Sequence, residues 1–285
     1  MLTAIADRIV AGERLSDEDA RELLASADLI TLGLLGEEAA RARHGDEVTF
    51  VRVGDAAKEA DRHDAANAGE WRITLAPSTL DEALAAVRDL VAIAAPVTAF
   101  DLADLALLAT PLPTTLRALR DAGLPQIARA SIDRLADAHA ALGVAADEGL
   151  AVHSLTIANP GGDPVKAARL ADELGARFGH LKAFAPLPLR ESPTEPTTGY
   201  DDVRAITVSR LIVRSIPSIQ VDWRRYGPKL AQVSLLYGAD DLDDVPVASD
   251  ATLGVRRAPF EELARNIRAA SRVPVERNAR FEVVA

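Results

Sequence analysis

Residues 207–244, TVSRLIVRSIPSIQVDWRRYGPKLAQVSLLYGADDLDD, decide the fold. Residues 212–216 close a helix that Pro217 stops, because its ring removes a donor and clashes with the preceding turn. Residues 219–223, IQVDW, alternate apolar and polar side chains and read as a short strand. Gly227-Pro228 opens a second helix where proline is best tolerated, 229–236 continue it, and Gly238 ends it. The acids Asp240, Asp241, Asp243 and Asp244 then follow as a loop. A strand end, a helix start and a carboxylate-rich loop in close succession are the parts of a barrel's active-site rim.

Upstream of this stretch the same alternation recurs. Residues 1–44 read as short helices, with Ser16 as N-cap and Asp19 three positions on. A strand at 48–53 precedes a polar run, 54–70, read as a loop. Strands are then expected at 71–75, 96–100, 124–129, 149–157 and 180–188, with helices at 80–94, 101–109, 113–122, 132–142 and 164–178. A loop is expected at 190–200. Strands separated by helices of this length imply right-handed βαβ units and a parallel sheet. The expected architecture is therefore an α/β TIM-type barrel of six to eight parallel strands. Residues 1–45 form a helical cap on it, 46–206 its core, and 207–285 its C-terminal part.

Composition narrows the function. The chain has 285 residues, 48% of them hydrophobic, enough for one barrel. A net charge of −11 argues against nucleic-acid or anionic-membrane partners. No run approaches the ~18 apolar residues of a membrane helix, and the first 20 residues lack a signal-peptide pattern. A cytoplasmic location is the resulting expectation. Cysteine is absent, which excludes disulfides, thiolate nucleophiles and cysteine-held zinc or iron–sulfur clusters in this chain.

The segment GYDDVRAITVSRLIVRSIPSIQVDWRRYGPKLAQVSLLYGADDLDD and the ending RNIRAASRVPVERNARFEVVA resemble the C-terminal part of aminofutalosine synthase. VTAFDLADLALL, TTLRALRDAGLP, HLKAFAPLPLRES and GDEVTFVRV extend the similarity upstream. That family and dehypoxanthine futalosine cyclase are radical S-adenosylmethionine (radical SAM) enzymes of menaquinone synthesis. The resemblance implies a radical-SAM-type barrel, and the departures from it are specific. The family's CxxxCxxC loop after the first strand is replaced by the cysteine-free run 54–70. Its Gly-Gly motif after the second strand reads Leu75-Ala-Pro-Ser-Thr79. Its glycine-rich turn after the fourth strand reads Ile127-Ala-Arg-Ala-Ser131. Three parts of one cofactor site are missing together, so reductive cleavage of S-adenosylmethionine is not expected of this chain, and no cofactor or metal is assigned to it. The implied role is that of a cluster-less homologue in the futalosine pathway. It would be a non-catalytic partner of a cysteine-containing radical SAM paralogue or of a second copy, or a binder of a carboxylate-bearing intermediate. The alternative is a lyase or hydrolase using the emptied barrel for non-radical acid–base chemistry.

Arg52, Asp101, Arg129 and Asp222 fall at or near predicted strand ends. Two inward arginines would suit a carboxylate or phosphate, since the guanidinium fork pairs with either. The competing reading pairs them with Asp101 or Asp222 as a plug. His153 either contacts a ligand or is a hydrogen-bonded core histidine. Asp240 and Asp241 match the family's Gly-Ala-Asp-Asp-Leu motif and serve ligand binding or loop hydrogen bonding equally well. His63, between Asp61 and Asp64, imitates a metal cluster in what reads as a solvated loop. Glu276 and Arg277 are expected to pair with each other.

Overall fold

A computed structural model describes residues 2–55, 65–94, 96–190, 197–247 and 259–284. Ten strands, all paired in parallel, form one sheet: β1 (Glu47–Gly54), β2 (Glu70–Ile73), β3 (Val97–Asp101), β4 (Gln126–Ser131), β5 (Ala151–Val152), β6 (Ser154–Ile157), β7 (Ala183–Pro188), β8 (Ser218–Asp222), β9 (Asp241–Pro246) and β10 (Val273–Glu276). The order runs β1-β2-β3-β4-β6-β7-β8-β9, and β9 pairs back onto β1, so the barrel is closed with eight staves. β5 and β6 are two pieces of one stave broken at His153.

Closure comes from a segment whose composition argues against a strand. The acids at 241–246 form β9, not a loop; Asp241 and Asp243 turn into the barrel, where arginines hold both. Alternation sends Leu242 to the opposite face, fully buried. β10 was also not anticipated. It runs beside the first half of β1, and β2 beside its end, so the C-terminal segment fills the gap between β1 and β2 at the barrel floor. The backbone of Ala279 then bonds Gly69, and Gln126 donates to the Ala279 carbonyl.

Helices cover the outside. Leu29–His44, Pro164–Arg177 and Gly199–Ile212 pack on one side with Asp17–Ala25. Gly33 and Gly36, poor helix formers in Leu29–His44, have a packing reason. A Cβ at Gly36 would collide with the Tyr237 carbonyl, and one at Gly33 would press the Leu236 carbonyl at 3.3 Å. Gly238, at φ +106°, lets the chain turn over Arg210 and back into β9.

Several expected boundaries shift. The helix after β3 is only Leu102–Leu105, and the helix expected at 132–142 is Ala138–Asp147, N-capped by Asp137. The helix expected at 80–94 is Leu80–Val91, N-capped by Thr79. The helix before β8 ends at Ile212. The one expected to open at Gly227 begins at Trp223, capped by Asp222, and kinks at Gly227, where φ is +76°. His63 lies outside the described residues, as does most of the run 54–70.

Candidate functional site

The barrel interior is polar from floor to mouth. At the floor, Arg277 donates from Nε and Nη2 to both oxygens of Asp241, at 2.6 and 2.8 Å. Thr49 Oγ1 and Gln220 Nε2 complete the Asp241 shell at 2.6 and 2.7 Å. Phe281 lies over the Arg277 guanidinium, 3.7 Å from it, and edge-on to His153 at 6.0 Å. Higher up, Arg72 donates from Nη1 and Nη2 to Asp243, at 2.8 Å each, and from Nε to Glu70 at 2.6 Å. Burial opposes the charged forms. Arg72's charge and its hydrogen bonds outweigh that burial and hold Asp243 at a pKa of about 2.

Above Arg72 the barrel opens into a pocket of about 390 Å³. Its lining includes Gly54 and Asp55 from the end of β1, Arg72, Thr74, Arg129, Asp222, Arg224, Arg225 and Asp244. Arg224 Nε reaches Asp244 at 3.2 Å, and Arg225 Nε donates to the Pro188 carbonyl at 3.0 Å. Burial raises the Asp244 carboxyl to a pKa of about 7; Arg72 and Arg224 pull it down, and Asp222 and Asp243 push it up. Burial, with Asp243 adding, also raises Asp222. Asp244 holds φ at +54°, and Phe100, just before Asp101, at +62°. Non-glycine residues in this region carry strain, which concentrates at functional sites.

Arg129 is the distinctive member. Its guanidinium makes no hydrogen bond among the described residues. Nε is buried, and the nearest carboxylate, Asp101 Oδ2, stands 3.9 Å away. Asp101 is already committed: it caps Ala103 N at 2.9 Å and accepts from the Ser131 backbone N–H and hydroxyl. A charged donor left open beside an accessible pocket is what an anionic ligand would complete.

The structure therefore brings Arg129 and Asp222 together at the mouth, with Asp101 directly below. It separates the other candidates. Arg52 shares strand parity with Phe50 and lies on the outer face, paired with Glu276 at 2.6 Å and 5.4 Å from the Phe260 ring. The expected Glu276–Arg277 pair does not form, because alternation along the C-terminal segment sends the two side chains to different partners. His153 Nδ1 meets the His180 carbonyl at 3.0 Å near the floor. Asp240 is buried outside the barrel, held by Arg210 and by Ile219 N at 3.0 Å. Asp241 belongs to the floor. Sequence reasoning missed Arg72, Arg224, Arg225 and Asp244. Arg72 carried a signal, since it alternates with Trp71 and Ile73 in a strand, where a charge belongs only on a polar interior face.

The site does not fit a [4Fe–4S] cluster. The chain has no thiolate to offer, and among the described residues no group of three His, Asp or Glu side chains could hold a metal ion.

Closed parallel barrel, helical coat and C-terminal seal define a TIM-type α/β barrel. No family model matches the chain. It is 36% identical over 129 residues to the aminodeoxyfutalosine synthase of Thermus thermophilus, covering 41% of this chain and 34% of that protein. It is 34% identical over 124 residues to the 5-amino-6-(D-ribitylamino)uracil–L-tyrosine 4-hydroxyphenyl transferase of Methanothermobacter thermautotrophicus, covering 38% of this chain and 34% of that protein. The matched part thus spans about a third of each of these relatives. Among solved structures, methylornithine synthase superposes with a TM-score of 0.64 at 14% identity, covering 95% of this chain and 97% of that one. The hydrogenase maturase HydG of Carboxydothermus hydrogenoformans gives 0.66 at 12%, covering 96% and 79%. At such identities these two establish the fold alone. Among the described residues no helix is long and apolar enough to cross a membrane.

Proposed function

We propose that this protein binds a carboxylate-bearing small molecule at its barrel mouth, as a cluster-less homologue of the futalosine-pathway enzymes that does not itself cleave S-adenosylmethionine. The observation that carries this reading is the open guanidinium of Arg129 in a mouth shared with Arg72, Arg224 and Arg225. The similarity to aminodeoxyfutalosine synthase supports a ligand from that chemistry. Thermal melts with futalosine-type carboxylates test it. A ligand at ~100 times its dissociation constant adds about 2.7 kcal/mol of stability, and Arg129→Ala should abolish most of that shift. No shift in the natural chain would sink the proposal. The catalytic partner in this reading is a cysteine-containing radical SAM paralogue; separate elution of the two after co-expression, at micromolar concentration, would remove that part.

A second reading rests on Asp244. A carboxyl with a pKa of about 7 beside Asp222 and Arg224 can both give and take a proton near neutrality, as non-radical lyase or hydrolase chemistry requires. Turnover of a carboxylate-bearing intermediate, lost in Asp244→Asn while binding persists, would favour this reading over simple binding.

A further inference from the structure

A second cavity, of about 500 Å³, lies between the ends of β6 and β7 and the helices Pro164–Arg177 and Gly199–Ile212. It shares no lining residue with the mouth. Its walls are apolar: Ile132, Ile157 and Leu187 at strand ends, Leu170 and Ala205 from the helices. Its charge is one-sided, four carboxylates against Lys166 at the exposed rim.

Three of those carboxylates are already in use. Asp133 accepts from the backbone of Ala158 and Asn159, at 2.8 Å each. Asp163 caps its helix through Val165 N at 2.9 Å and Lys166 N at 3.3 Å. Asp201 closes a capping box with Thr198 and takes Arg204 at 3.3 Å. Asp202 is different. It is 5% exposed, and no basic side chain pairs with it among the described residues. Burial raises its pKa, the Thr197 hydroxyl lowers it, and the charge of Asp201 raises it again. A buried acid without a counter-charge, on the wall of an apolar cavity, is costly unless a cation arrives to face it.

We propose that this cavity binds a small primary amine with an apolar body, its ammonium at Asp202 and its body against Ile157, Leu187 and Leu170. Anions are disfavoured by the four carboxylates. A neutral ligand of the same shape gains the apolar contact but not the charge-assisted bond.

Calorimetric titration of the full chain with 2-phenylethylamine tests this, with 2-phenylethanol and 3-phenylpropionate as neutral and anionic counterparts. The amine should bind about tenfold or more tighter than the alcohol, the factor a charged hydrogen bond supplies. The propionate should not bind in this cavity. Asp202→Asn should reduce the amine to the level of the alcohol. Ala167→Phe, which fills the cavity from the other wall without changing charge, should abolish binding of both. The proposal does not rest on the mouth, so propionate binding that Ala167→Phe leaves intact belongs to the mouth and has no bearing here. Equal affinity of amine and alcohol, amine binding unaffected by Ala167→Phe, or no amine binding at millimolar concentration would overturn it. If Asp202→Asn does not fold, the amine-to-alcohol ratio and Ala167→Phe still decide.

Discussion

Arg277 and Asp241 face each other through two parallel hydrogen bonds, of 2.6 and 2.8 Å, with both side chains essentially out of solvent. The pair ties the C-terminal segment to β9 and closes the barrel floor. Burial lowers the Arg277 pKa, but the charge and hydrogen bonds of Asp241 outweigh it and the net shift is upward, so the guanidinium stays charged.

Breaking this pair from one side should be far worse than removing it. Arg277→Met or Asp241→Leu alone leaves a lone buried charge and should cost ~3–5 kcal/mol, whereas the double replacement should cost much less. Chemical denaturation of the three variants measures the difference. Additive losses would contradict a closed pair.

The arginines at 52 and 129 should separate cleanly. Arg52→Ala loses a partly buried ion pair and should lower stability by about 1–2 kcal/mol, between the exposed and buried extremes, with no effect on ligand at the mouth. Arg129→Ala should leave the free protein nearly as stable and weaken carboxylate binding by ~1.5–3 kcal/mol. Melting curves with and without ligand read both effects.

Stability should depend on pH through the mouth. The Asp244 pKa is raised from 3.8 to about 7, so the folded state holds a proton that the unfolded state releases. Its contribution is full below the unfolded value and is lost as pH rises through about 7, with an upper bound of about 4 kcal/mol. The carboxyl is 20% exposed, which reduces this. Asp244→Asn should flatten the fall in stability between about pH 4 and 7. Asp243, held at about 2, acts oppositely, and its contribution disappears only in strong acid.

Gly36→Ala should be strongly destabilising despite alanine's better helix propensity. The added methyl meets the Tyr237 backbone, which cannot move without disturbing the turn into β9. A loss of ~1–3 kcal/mol is expected from such overpacking. Gly143→Ala, where nothing lies within 4 Å, is the control and should be neutral or stabilising.

Anaerobic iron–sulfide reconstitution of this chain should produce no thiolate-to-iron charge-transfer absorbance, and the chain alone no 5′-deoxyadenosine. Either signal at stoichiometric level would refute the cluster-less reading.

The chain's local patterns already determined the alternation of strands and helices, the Ser16 cap, and the absence of any thiolate ligand. These depend on residues within a few positions of one another, so they are legible in one dimension. Arg129 and Asp222 were also legible as mouth residues, because strand ends in a barrel converge on one rim. The fates of Arg52, Asp240 and Asp241 were not. Each depends on a partner far along the chain: Glu276, Arg210 and Arg277. That 241–246 is a strand at all was decided by tertiary structure, since acids are poor strand formers until buried arginines neutralise them. The Arg129 guanidinium without a hydrogen bond and the Asp202 carboxylate without a counter-charge likewise became visible only in the tertiary structure, because both depend on which distant side chains come near them.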